Sequence, residues 1–277
     1  MPILLYGSEI WAFEPLELID RVQLRFYKML LGVKSSTPNC MIYGELGKYP
    51  LSLYAKCRLL CFWYSQCLDI RNDGKKISNS LIRLGYSMIN NVTTPWLIFV
   101  HNLLDNLGLT YIWQNHSTCT LSLNRFKGLI TQRLQDQYQQ IWHNEIHTNE
   151  ICISYRIFKT SFGFENYLLW LSKTLKSNLL KFRLSYHKLP IQKLRYSNIP
   201  RHQRLCTLCR KNDLGDEFHY LFICDNDQIQ QTRNRLVPRY FRIRPNALKF
   251  EHLMNTKSKT RLRKVSRLVG VVLNLFR

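Results

Sequence analysis

The stretch SLNRFKGLITQRLQDQYQQIW, residues 122–142, decides the fold class. Its apolar side chains Phe126, Ile130, Leu134, Tyr138 and Ile141 recur every three or four positions, a spacing that lines one face of an α-helix and neither face of a strand. Ser122 supplies an N-cap residue. The same spacing appears on both sides of this stretch. Leu16, Ile19, Val22, Phe26 and Leu30 form a stripe that Gly32 and Pro38 end, and Leu53, Cys57, Leu60, Cys61 and Tyr64 form another over about 53–68. Trp96–Leu107 and Glu165–Leu184 continue the pattern, the latter with Leu168, Leu171, Leu175, Leu179 and Phe182 facing inward. Period-two alternation is hardly sustained anywhere, so the expected fold is mainly α. Polar turn-forming stretches, RNDGKK at 71–76 and NNVTTP at 90–95, interrupt the pattern. The chain is expected to divide into residues 1–70, a helical connector over 71–180 and a C-terminal module over 181–277.

Charge is unevenly spread. The chain carries 40 Lys and Arg against 18 Asp and Glu, and from Lys176 onward 23 basic residues face only 6 acidic ones. A clustered excess of that size points to a polyanion, with nucleic acid ahead of an anionic membrane. Hydrophobic residues make up 45% of the 277 positions, enough to build a core and to exclude a disordered tail. No run approaches the roughly 18–20 apolar residues of a spanning helix, and the N-terminal MPILLYGSEIWAFEP lacks the pattern of a secretory signal. Nine cysteines without a framework of evenly spread pairs fit a reducing, intracellular setting, nuclear or cytoplasmic.

The densest chemistry lies in CTLCRKNDLGDEFHYLFIC, residues 206–224. Cys206, Cys209, His219 and Cys224 follow the spacing Cys-x2-Cys-x9-His-x4-Cys, which supplies the four borderline-soft ligands that a tetrahedral zinc ion takes. Three buried thiols and a stray histidine are the competing reading. Polar, turn-forming residues around the first pair speak against it, because they leave no apolar place to hide thiols. With all four positions filled by protein, such an ion is structural, contributing on the order of 10 kcal/mol or more to folding its module. Asp225 or Asn226 then caps a helix running to about Leu236.

Other candidates carry less. Cys57 and Cys61, four apart, read as core packing, and HNEIH at 143–147 misplaces its Glu for a zinc protease and reads as an exposed helical pair. No clustered carboxylates, nucleophile signatures or glycine-rich phosphate loops point to catalysis, and no small-molecule substrate is expected. KFRLSYHKLPIQKLRYSNIPRHQRLC, residues 181–206, interleaves cations with aromatics. Lys181, Arg183, His187, Lys188, Lys193, Arg195, Arg201 and Arg204 can track phosphates while Tyr186 and Tyr196 offer stacking faces, and Arg210, Lys211, Arg233 and Arg235 extend the series. In the tail, Leu262, Val265, Val269 and Val272 form an apolar side expected to pack on the module rather than on a membrane.

These residues resemble a known family. LLKFRLSYHKLPIQKLRYSNIPRHQRLCTLCRKNDLGDEFHYLFIC is similar to the C-terminal region of LINE-type (non-LTR) retrotransposon reverse transcriptases. PILLYGSEIW and KMLLGVKSSTPNCMIYGELGKYPL resemble the stretch beyond that polymerase's palm, leading into its thumb. The match covers the two ends of the chain, and Leu194 and Asp225 depart from it where the family usually has Gly and often Pro. The resemblance implies a thumb-like N-terminal segment and a CCHC zinc-knuckle module with Cys206, Cys209, His219 and Cys224 as ligands. It also implies RNA or DNA and the upstream reverse transcriptase part as partners. The family's catalytic aspartates and endonuclease fall upstream of Met1, so this chain is expected to be a non-enzymatic fragment. A zinc-organised protein–protein interaction module is the alternative.

Overall fold

The computed structural model describes residues 3–72, 80, 83, 84, 94–116 and 118–276. Among them the chain is mainly α-helical, and its strand pairing consists of isolated bridges. The polar breaks at 71–76 and 90–95 lie largely outside the described residues. The principal helices are α1 (Glu17–Leu31), α2 (Asn39–Leu46), α3 (Leu51–Arg71), α4 (Pro95–Asn106), α5 (Leu123–Thr148), α6 (Lys173–Arg183), α7 (Asp227–Leu236), α8 (Ala247–Met254) and α9 (Lys259–Asn274). They form two compact units that interleave along the chain, one from residues 1–23 and 49–141, the other from 24–48 and 142–277. The sequence-based division into three consecutive segments follows a different line.

In the first unit the core gathers on α3. Trp63 and Tyr64 are fully buried, Trp63 stacked on Trp113 at 5.6 Å and Tyr64 on Phe126 of α5 at 4.0 Å. Ser122 caps α5, accepting from the Arg125 N–H. Phe126, Ile130 and Leu134 bury as the periodicity predicts, whereas Ile141 is exposed. The start of α3 has four orphan N–H groups, and two find partners on α1: Leu51 donates to Gln23 Oε1 (3.0 Å) and Ser52 to Asp20 Oδ1 (2.9 Å).

That capping corrects the reading of α1. Its stripe of Val22, Phe26 and Leu30 faces solvent, with Val22 and Phe26 each about half exposed. The buried side carries Gln23, Leu24 and Tyr27 instead. The apolar stripe is genuine, but the helix is turned so that Gln23 can serve the neighbouring helix end and Tyr27 can meet Tyr43 edge-on at 6.4 Å.

The second unit is built on α6, α7 and α9. The tail helix α9 buries Leu262, Val265, Leu268, Val269 and Val272 against α6 and α7, so its apolar side packs within the module as expected. At Gly270 α9 and α6 approach closely, and a Cβ there would displace the end of the Asn178 side chain, 2.6 Å away. Ser266 Oγ donates across the same contact to the Leu175 carbonyl (2.5 Å).

One helix expected over 165–184 is two. Leu171 and Ser172 are extended and separate a turn at Tyr167–Trp170 from α6. On a continuous helix Tyr167 and Arg183 would point about 160° apart. The break lets both reach Glu45 on α2, which is fully buried. Arg183, also fully buried, pairs with Glu45 Oε1 (2.9 Å) and Glu165 Oε2 (3.3 Å) and donates to the Met254 carbonyl. Tyr167 donates to Glu45 Oε2 (2.5 Å), and burial together with the Glu45 charge holds its pKa well above the ordinary phenol value. The Arg183 guanidinium lies over Phe158 at 4.5 Å, so both ions are enclosed by rings and by their own partners.

Candidate metal centre

Residues 204–215 fold back as a short hairpin. Leu205 bridges Leu214, Cys206 N–H donates to Asp213 (2.8 Å), and Gly215 N–H donates to Arg204 (2.9 Å). Asn212 turns the tip with a positive φ of 53°, a conformation that Asn tolerates better than most residues. Gly215 sits at the base, where a Cβ would press on the Pro190 ring at 3.0 Å and the Leu205 carbonyl at 3.1 Å. This loop presents Cys206 and Cys209 together, and the Leu208 N–H points to the Cys206 sulfur at 3.4 Å.

The other two candidate ligands come from an irregular turn. His219–Ile223 is π-helical, and Cys224 N–H donates to the His219 carbonyl (2.9 Å). In an α-helix five steps leave two side chains about 140° apart. The wider i→i+5 turn brings His219 and Cys224 round to one side. Asp216 holds the start of the turn, accepting from the His219 N–H at 3.0 Å. Asn226 caps α7 immediately afterwards, its side chain accepting from the Ile229 N–H.

Together these elements bring all four sequence-predicted ligands to one place. The donor atoms of Cys206, Cys209, His219 and Cys224 lie within 4.8 Å of one another, an arrangement that can hold a single metal ion. Cys206 Sγ is 3.9 Å from Cys224 Sγ, too far for a disulfide, and Cys209 Sγ is 3.4 Å from His219 Nε2. The outer nitrogen of the imidazole, Nδ1, faces the Asp213 carboxylate at 3.6 Å. Hydrogen bonding from Cys224 draws the Cys206 thiol well below the ordinary thiol range, and the same contact pushes Cys224 up.

Behind the turn lies a clamp that spacing alone does not reveal. Glu217 is buried and accepts from Ser154 Oγ (2.6 Å) and Ser185 Oγ (3.3 Å), with His187 Nε2 at 2.9 Å. Burial alone would raise its carboxyl, but the His187 hydrogen bond and charge outweigh burial and hold it below the usual carboxylate range. Only Phe218 separates Glu217 from His219, so the clamp fixes the turn that carries a ligand.

Three of the twelve candidate nucleic-acid residues belong to the interior. Arg183 is committed to Glu45, the His187 side chain is 1% exposed on Glu217, and Arg233 is buried with its guanidinium on the Cys224 carbonyl. None of them offers a donor to a phosphate, which corrects the sequence reading. Arg204 is half-buried and donates to the Ile199 and Ile191 carbonyls. Lys188, Lys193, Arg210, Lys211 and Arg235 are exposed, and Lys181, Arg195 and Arg201 are half-exposed. Arg195 lies over the ring of exposed Tyr196 at 5.1 Å, Arg201 pairs with Asp216 at 3.5 Å, and Lys211 lies 3.7 Å from Asp225. His143 and His147 stand exposed near the end of α5 with rings stacked at 4.1 Å. No described helix is long and apolar enough to cross a membrane. No family model, curated protein or solved structure matches the chain.

Proposed function

We propose that the chain binds nucleic acid through a basic C-terminal unit organised by one structural zinc ion, in a reducing intracellular compartment. The observation that carries this reading is the convergence of three sulfurs and one imidazole beside a surface rich in exposed cations. The donor set fits zinc. With bonds of about 2.3 Å to sulfur and 2.0 Å to nitrogen, a tetrahedral ion needs sulfur–sulfur edges of about 3.8 Å and sulfur–nitrogen edges of about 3.5 Å. The hairpin and the π turn already hold edges of 3.9 Å and 3.4 Å. The Asp213 carboxylate stands where an outer partner for a metal-bound imidazole is usually found. Four protein ligands leave no open position, so the ion holds shape and the cations contact phosphates.

This reading keeps the resemblance to the C-terminal region of LINE-type reverse transcriptases. RNA or DNA is its partner, and the exposed cations supply the contacts. The test combines metal content with binding. Purified protein is expected to carry one equivalent of zinc, and Cys209→Ser to lose it along with affinity for labelled RNA and DNA at low salt. Metal-free wild-type protein that binds as well as before, or zinc-loaded protein with no affinity at low salt, overturns the proposal.

A further inference from the structure

A second grouping of rings and cations lies in the same unit, on residues other than the cage ligands. Two adjoining cavities of about 250 and 500 Å3 share a wall made by Asn255, Thr256 and Lys257. Trp170 lines the first, and Tyr240 and Phe241 line the second. Each ring has a cation over it: Lys259 lies 5.4 Å from the Trp170 ring, Lys249 4.7 Å from Tyr240 and Arg261 5.5 Å from Phe241. Phe241 is buried, but Tyr240 is 61% exposed and Trp170 is partly exposed. Two carboxylates line the cavities. Glu165 is held by Lys159 and Arg183, which leaves Glu251 against Lys249, Lys257, Lys259 and Arg261.

We propose that these two cavities form one groove for an unpaired polynucleotide strand, with Trp170 and Tyr240 stacking bases and the surrounding cations contacting the phosphates between them. Exposed aromatic faces set among cations match the chemistry of a single strand, which offers both π-faces and charge. A duplex keeps its base faces inside the stack, so it gains only from the cations. Two ring positions in adjoining cavities suit a run of nucleotides better than a mononucleotide. The groove rests on the nucleic-acid reading but uses none of the residues of the zinc flank.

The test is fluorescence anisotropy of the zinc-loaded full chain at about 50 mM salt, with labelled oligouridine of about 20 nucleotides and a duplex of the same length. Tyr240→Ala is expected to weaken oligouridine binding about tenfold and to leave duplex binding unchanged, while Tyr240→Phe retains wild-type affinity. Trp170→Ala should repeat the selective loss, and because Tyr240 is the more exposed of the two, its variant decides the matter if Trp170→Ala unfolds. Equal losses on strand and duplex, or no loss on either, overturn the groove and leave the wider reading standing. Wild-type protein that binds neither ligand overturns both.

Discussion

At the scale of single residues, the second unit depends on a charge placed where charge is costly. Arg183 and Glu45 are both fully buried, and each is acceptable only because the other is present with Glu165, Tyr167 and the Met254 carbonyl. Removing one ion leaves its partner stranded in the interior. Arg183→Met is therefore expected to cost about 3–5 kcal/mol in urea unfolding, and combining it with Glu45→Leu to recover most of that loss. A single-variant cost below about 1 kcal/mol would show that the pair behaves like a surface ion pair, contrary to its burial. Nothing in the sequence marks this pair, because 138 positions separate the two residues and Arg183 sits in a run of cations that reads as a phosphate-binding surface. The four cage ligands were legible by contrast, since Cys-x2-Cys and His-x4-Cys are each closed locally, by a hairpin and by a π turn.

At the scale of elements, periodicity identified the helices but not always the side they bury. α9 buries the stripe that its spacing predicts, and α5 buries Phe126, Ile130 and Leu134 of its own but leaves Ile141 exposed. On α1, polar Gln23 caps α3, and that duty turns Val22, Phe26 and Leu30 outward. The break at Leu171–Ser172 was equally hidden, since leucine spacing runs through it and the cause is a tertiary contact to Glu45. The two faces of α1 should respond oppositely to substitution. Val22→Asp and Phe26→Asp are expected to shift stability by no more than about 0.5 kcal/mol, whereas Leu24→Ala should cost about 2–5 kcal/mol. Chemical denaturation of the three variants checks this, and a cost for Phe26→Asp that matches Leu24→Ala would mean that the outward face is covered in solution.

At the scale of the whole molecule, the excess of cations divides into two populations with different consequences. Arg183 and Arg233 are interior and act on stability, while Lys193, Arg210 and Lys211 stand exposed and can release counterions on meeting a polyanion. Composition could show the excess but not this division, which depends on where the chain folds. Each phosphate contact on a single strand contributes about 0.7 to the slope of log affinity against log salt. Replacing Lys193, Arg210 and Lys211 together by Gln should therefore make that slope shallower by about 2, with stability nearly unchanged. Arg233→Met should do the reverse, lowering stability while the slope of the protein that remains folded stays as in wild type. A slope that ignores the three exposed cations would assign the charge to solubility and favour the zinc-organised protein-interaction module, because a protein contact at the same surface needs no counterion release.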